Sequence, residues 1–250
     1  RLTRRRRRLV NERVRVVNNL QADLQAVCPG LLEITSEASN QWFLNFLLSA
    51  DTLPQLTRLR KATLLKIPAV GRKYASLIEG WQKRAHFGAE VDWVSEMIQE
   101  DAQRCLDLEE NIKALQTKIE QIAKDSKIAT ILLSIPGFGP VCTSELAGEI
   151  GTIERFSKEG SLALYLGMST LDNSSGKYQG SKAPKHVNTR AKAAMMIALD
   201  RHRKYVPESQ NYYEKKRREG KKHNQAIRAL GRHLCRIIYK MLREEREYHI

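Results

Sequence analysis

The heptapeptide IPGFGPV at 135–141 and its variant IPAVGRK at 67–73 offer chemistry through the backbone more than through side chains. Gly137 and Gly139 permit a tight turn, and Pro140 suits the first position of a helix. Such a turn leaves the opening amides of that helix, beginning near Val141, pointing outward. A phosphate oxygen can accept them, helped by the positive end of the helix dipole. This contact reads no base, so it suits a sequence-independent grip on a nucleic-acid backbone. The upstream copy has Ala69 where the first glycine should stand, with Arg72 and Lys73 adding charge at the head of its second helix. A purely structural corner between two helices uses the same residue types, and that alternative stays open.

Cationic side chains supply the second kind of chemistry. The block Lys215, Lys216, Arg217 and Arg218, followed by Lys221 and Lys222, has few apolar neighbours and reads as a helix end and loop. In the helix that follows, Ile227, Leu230, Leu234, Ile237 and Met241 form one face, with Arg228, Arg232, Arg236 and Lys240 elsewhere. The apolar side should pack on the core while the basic side meets phosphates. Tyr212 and Tyr213 suit either base stacking or aromatic packing. Six of the first eight residues are arginine, a run that fits a solvated helix face or phosphate contact equally.

The whole composition agrees with a polyanionic partner. Lys and Arg number 43 against 28 Asp and Glu, a net charge of +15. The longest apolar run, AAMMIAL at 193–199, is far short of the ~20 residues needed to span a bilayer, so no membrane partner is expected. The four cysteines and six histidines lack ligand spacing, so no metal site is expected on this chain. The histidines read as structural or solvated, and the scattered cysteines suit a reducing cytoplasm. The chain starts at Arg1 within helical sequence, as a fragment with its front removed would.

The elements that must position these groups read as all-α. Apolar spacing predicts helices over 1–27, 38–50, 53–66 and 71–84, then 127–134, 140–150 and 159–166, and finally 188–205 and 222–243. A polar loop fills 167–187. Between 91 and 122, Val91, Val94, Ile98, Cys105, Leu108, Ile112, Leu115, Ile119 and Ile122 alternate in steps of three and four, with Asp101 as the one break. That heptad seam predicts a coiled-coil rod of roughly 50 Å and homo-oligomerisation through it. Packing of this helix within the monomer is the alternative. The chain divides accordingly into a helical region with a basic first helix (1–88), a coiled-coil helix (89–125) and a C-terminal domain (126–250).

Several of these motifs occur together in one known family. RRRLV with Arg13 and Asn18 at 6–18, IPGFGPV at 135–141, E-I-G-x-I-x-R-F at 149–156, YLGM at 165–168, GKYQGSK at 176–182 and, approximately, the basic helix at 229–243 follow in order. Together they resemble the DEDD-type insertion-sequence transposases, relatives of the pilin-gene DNA invertases. Some of these are guided by a bridge RNA. The resemblance covers almost the whole chain and implies a DNA partner, with a guide RNA as a further one. It also implies a RuvC-like domain, absent here, that supplies the acidic ligands for Mg²⁺, and a bacterial, nucleoid-associated location. The motif at 135–141 is similar to the helix-hairpin-helix elements of repair and recombination proteins.

The family's nucleophile is a serine in a Gly- and Ser-containing segment before a basic helix. Its counterpart here is Ser181, in Gly180-Ser181-Lys182, with Ser174 and Ser175 as rivals. Pro184 and Lys185 depart from the family's glycine. A serine hydroxyl needs a base or metal to take its proton, and Lys182, Lys185 and Arg190 suit the charge that phosphoryl transfer spreads over oxygen. Two functions follow from these readings. One is a recombinase fragment that binds DNA and supplies a serine for strand cleavage and exchange, inactive alone. The other is a non-catalytic, oligomeric nucleic-acid-binding scaffold.

Overall fold

The computed structural model describes residues 1–177, 180–182, 184–185 and 187–249, with Asp172 and Ser181 described by backbone alone. Among these residues it is all-α apart from one two-residue strand pair. Contacts divide the chain into two units, Arg5–Leu115 and a second made of Gln116–Ile250 with Arg1–Arg4.

The first unit is built on α1 (Leu2–Val27) and the early turns of α5 (Val91–Lys124), with α2 (Gln41–Leu47), α3 (Lys61–Leu64) and α4 (Arg72–Gln82) between them in sequence. Leu20 and Leu24 of α1, Phe43 and Phe46 of α2, Ile78 and Trp81 of α4, and Ile98 and Cys105 of α5 share one core. The helix expected over 53–66 is broken instead. Pro54 opens a 3-10 turn at Leu53–Arg58, and α3 is a single turn after it.

The heptad seam is used within the chain. Val91, Ile98, Cys105 and Leu108 belong to this core, and ion pairs Arg13–Glu109 and Arg104–Glu12 join α1 to α5. This corrects the expectation that a partner helix covers these four side chains. Nor does Asp101 break the seam. Ala102, fully buried, takes its place between Ile98 and Cys105. Burial dominates at Asp101 and pushes its carboxyl above the usual range.

The second unit contains α6 (Lys127–Leu133), α7 (Pro140–Ile150), α8 (Glu159–Tyr165), α9 (Thr189–Tyr205), α10 (Pro207–Arg218) and α11 (His223–Glu244). Its core joins Leu146 and Ile150 of α7, Leu162 of α8, Ala194 and Leu199 of α9, and Ile227 and Leu234 of α11. On α11 the buried stripe runs through Ile238, while Ile237 is 37% exposed, which corrects its assignment to the core face. The sequence reading marked only the end of α10. This helix has no buried residue of its own, so its pattern carries no 3.6-residue apolar signal.

A short antiparallel pair, β1 (Leu171–Asp172) and β2 (Ser181–Lys182), forms inside the expected polar loop. Its register sets Leu171 opposite Lys182 and Asp172 opposite Ser181. Ladders of two residues carry too little alternation to be legible in sequence.

Candidate functional site

The two IP-x-x-G turns adopt the same backbone. At 64–75 the bonds are Ile67 N to Leu64 O, Val70 N to Ile67 O and Ala75 N to Gly71 O, at 3.1, 3.1 and 3.0 Å. Their counterparts at 132–143 are Ile135 N to Leu132 O, Phe138 N to Ile135 O and Thr143 N to Gly139 O, at 3.2, 3.0 and 3.0 Å. Gly137 has φ +84° and Ala69, at the matching position, φ +64°. Gly71 and Gly139 are extended N-caps of α4 and α7. Each proline carbonyl is held by a neighbouring side chain. Asn45 donates to Pro68 O at 3.0 Å, and His202 Nδ1 donates to Pro136 O at 2.7 Å.

Gly137 is fixed by packing as well as by dihedral angle. A Cβ there would stand 2.5 Å from the His202 amide nitrogen. His202 is fully buried, with Ser209 Oγ donating to its Nε2 at 3.0 Å. Burial lowers its pKa, so the ring stays neutral and holds this tautomer. Gly139 and Val141 remain half-buried at the opening of α7, while Arg72 and Lys73 are exposed at the opening of α4.

The loop between α8 and α9 is closed at its neck. At the end of α8, Gly167 takes φ +67°, and the paired bonds Met168 N to Ala163 O and Gly167 N to Leu164 O cap the helix and turn the chain outward. Asn188 brings it back. Its amide N–H donates to Tyr165 O at 3.0 Å, and its side-chain oxygen caps α9 by accepting from Arg190 N and Ala191 N. Its Nδ2 reaches Tyr165 Oη and Glu149 Oε2, each at 2.7 Å.

Glu149 is the hub of this neck. It is 4% exposed and receives both Nε and Nη2 of Arg4 at 2.9 Å, with Arg190 Nε at 2.8 Å. Tyr165 Oη donates to its backbone carbonyl at 2.8 Å, and Arg155 Nη1 donates to the carbonyls of Glu149 and Ile150. Burial alone would raise the carboxyl pKa, but hydrogen bonds from Arg4, Arg190 and Asn188 outweigh it and hold the value at about 2. The group is therefore a fixed anion at neutral pH, with two arginines tied to it.

The expected site residues thus fall into separate groups. Lys182 and Lys185 are exposed on the loop, Arg190 stands at the neck, and the Ser181 side chain lies outside the described residues. Ser174 and Ser175 are exposed on the same loop. Lys215, Arg217 and Arg218 are exposed on the last turn of α10, whereas Lys216 pairs with Glu219 at 2.8 Å. Lys221 and Lys222 lead into α11. Tyr212 and Tyr213 pack against histidines, with Tyr212 Oη to His233 Nε2 and Tyr213 Oη to His223 Nδ1 both at 2.9 Å. Arg203 also covers the Tyr213 ring at 4.3 Å. Glu149, Asn188 and Tyr165 carried no assigned role in the sequence reading, and Arg4, read within the arginine run as solvated or phosphate-binding, instead pairs with Glu149. Asn188 before a basic helix was the one signal available, as an N-cap.

Fold and site define an all-helical protein in which a cationic loop is held at its neck by a buried carboxylate. Residues 129–214, which include the hairpin, Glu149 and the loop, match the model described as the Transposase IS116/IS110/IS902 family. The chain is 27% identical over 252 residues to the insertion element IS116 uncharacterized 44.8 kDa protein of Streptomyces clavuligerus. That alignment covers 98% of this chain and 63% of the relative. It is 32% identical to the insertion element IS900 uncharacterized 42 kDa protein of Mycobacterium paratuberculosis, over 59% of this chain and 38% of the relative. A third relative, the insertion element IS110 uncharacterized 43.6 kDa protein of Streptomyces coelicolor, is 30% identical over 54% of this chain and 34% of its own. The chain spans less than two thirds of each of these relatives.

Proposed function

We propose that this chain is the DNA-gripping and strand-attacking part of an insertion-element transposase, with Ser181 as nucleophile. The observation that carries the proposal is the loop itself. It lies within the residues that match the transposase model, it is held at its neck by Glu149 and Asn188, and its β1–β2 pair places the Ser181 backbone opposite Asp172. In this reading the serine hydroxyl gives up its proton as its oxygen bonds to a strand phosphorus, and a sugar oxygen of the strand leaves and takes up a proton. Lys182 and Lys185 carry charge that develops on the phosphoryl oxygens. The hairpin at 135–141 and the basic end of α10 hold the flanking backbone.

Among the described residues no three His, Cys, Asp or Glu side chains stand together as a metal site. The Mg²⁺ that the family resemblance implies would be held by the RuvC-like domain of the complete protein. Ser181→Ala in the complete protein should abolish strand exchange and leave DNA binding unchanged, while Ser174→Ala and Ser175→Ala remain active. Recombination at the wild-type rate by the Ser181 variant would remove this serine from the mechanism.

A further inference from the structure

A cleft of about 330 Å³ opens between the start of the loop and the first turns of α11. Lys221, Arg228 and Arg232 line it, together with the hydroxyl-bearing Ser169 and Thr170, and no carboxylate among the described residues does. Met168 and Ala229 supply an apolar portion. Arg232 reaches Glu159 through Nη2 at 3.5 Å, but its Nη1 is buried with no hydrogen-bond partner. A buried, unmet guanidinium donor is costly. The α11 wall of this cleft lies beyond the residues that match the transposase model.

We propose that this cleft is a nucleotide subsite for the DNA strand attacked at the loop, with phosphate on Arg228, Arg232 and Lys221 and sugar and base against Met168 and Ala229. The chemistry fits on two counts. Guanidinium groups and hydroxyls match phosphate oxygens. The volume exceeds what a phosphate alone would fill and lies in the range of small-ligand pockets. Position adds a third argument. Thr170 lies two residues before Asp172, whose backbone faces Ser181. At ~3.3 Å per residue along a strand and ~4.8 Å between strands, the loop wall of the cleft is about 8 Å from the Ser181 backbone. A strand bound here would present to the loop a phosphate one or two nucleotides away. The subsite rests on the proposed DNA-binding function, and it deepens that function by locating a strand contact away from the hairpin.

The test is equilibrium binding of this chain to a deoxyoligonucleotide strand in dilute buffer. Arg228→Ala should weaken binding about tenfold, the loss of roughly one charge-assisted contact. Ala229→Leu narrows the cleft at unchanged net charge and should weaken binding to a similar degree. The double variant should lose little more than either, because both act on one site. Both positions are half-buried, and thermal melting checks that each variant is folded. A folded Ala229→Leu chain that binds like wild type would overturn the subsite, as would losses that simply multiply in the double variant. Failure of the wild-type chain to bind DNA at all would instead sink the proposed function. If the two substitutions weakened only an oligoribonucleotide, or if micromolar deoxynucleoside monophosphate displaced the strand, the assigned occupant would be wrong.

Discussion

Glu149 concentrates the electrostatics of the loop neck in one side chain. Its pKa is lowered from 4.5 to about 2, so the unfolded chain takes up a proton before the folded one does. Its contribution is fully present above about pH 4.5 and is lost as pH falls toward about 2, amounting to about 3 kcal/mol. His202, also lowered from its ordinary 6.5, acts in the same direction at higher pH. The unfolded chain binds that proton first, so stability declines as pH drops below 6.5. Glu149→Gln should lower the melting temperature at neutral pH and flatten the profile between about pH 4.5 and 2. Denaturant unfolding across that range reads both effects. An unchanged acid limb would show that the carboxylate is not the group that titrates.

The paired hairpins make a matched test of backbone conformation. Gly137→Ala adds a Cβ in the left-handed region, 2.5 Å from the α9 backbone at the residue that also holds the Pro136 carbonyl. We expect a loss of at least about 2 kcal/mol. Ala69 already holds the same conformation at φ +64°, a region that costs an L-residue roughly 1 kcal/mol or more. Ala69→Gly should relieve part of that strain and stabilise the first unit by about 0.5 kcal/mol, despite the added freedom of the unfolded chain. Opposite signs at equivalent positions are the expected outcome, read from denaturation midpoints. The same comparison separates architecture from grip, because nucleic-acid affinity should follow the amides at Gly139 and Val141 and not these stability changes.

Charge governs the behaviour expected of the complete chain. A net +15 distributed over exposed lysines and arginines on α4, the loop and α10 should make the proposed DNA binding strongly salt-dependent. Four phosphate contacts would cost about a hundredfold in affinity between about 50 and 200 mM salt. A flat titration over that range would rule out a phosphate-dominated interface. No helix among the described residues is long and apolar enough to cross a membrane. The two units, each with its own core, contain one hairpin apiece, so substitutions in one hairpin should leave the melting of the other unit largely unchanged.

Long periodic helices were legible because burial of one face imposes a 3.6-residue pattern, and α1, α5 and α11 announce themselves that way. The turn at 135–141 was equally plain, since Gly and Pro restrict the backbone locally. Local residue type could not tell who covers a seam. The stripe at 91–108 is suited to a partner helix or to the chain's own core, and chain folding chose the latter. It could not reveal α10, in which no residue is fully buried, nor the β1–β2 pair, which is too short to alternate. Above all it could not bring Arg4, Glu149, Asn188 and Arg190 together, because a carboxylate meets distant cations through the packing of helices and not through their spacing along the chain.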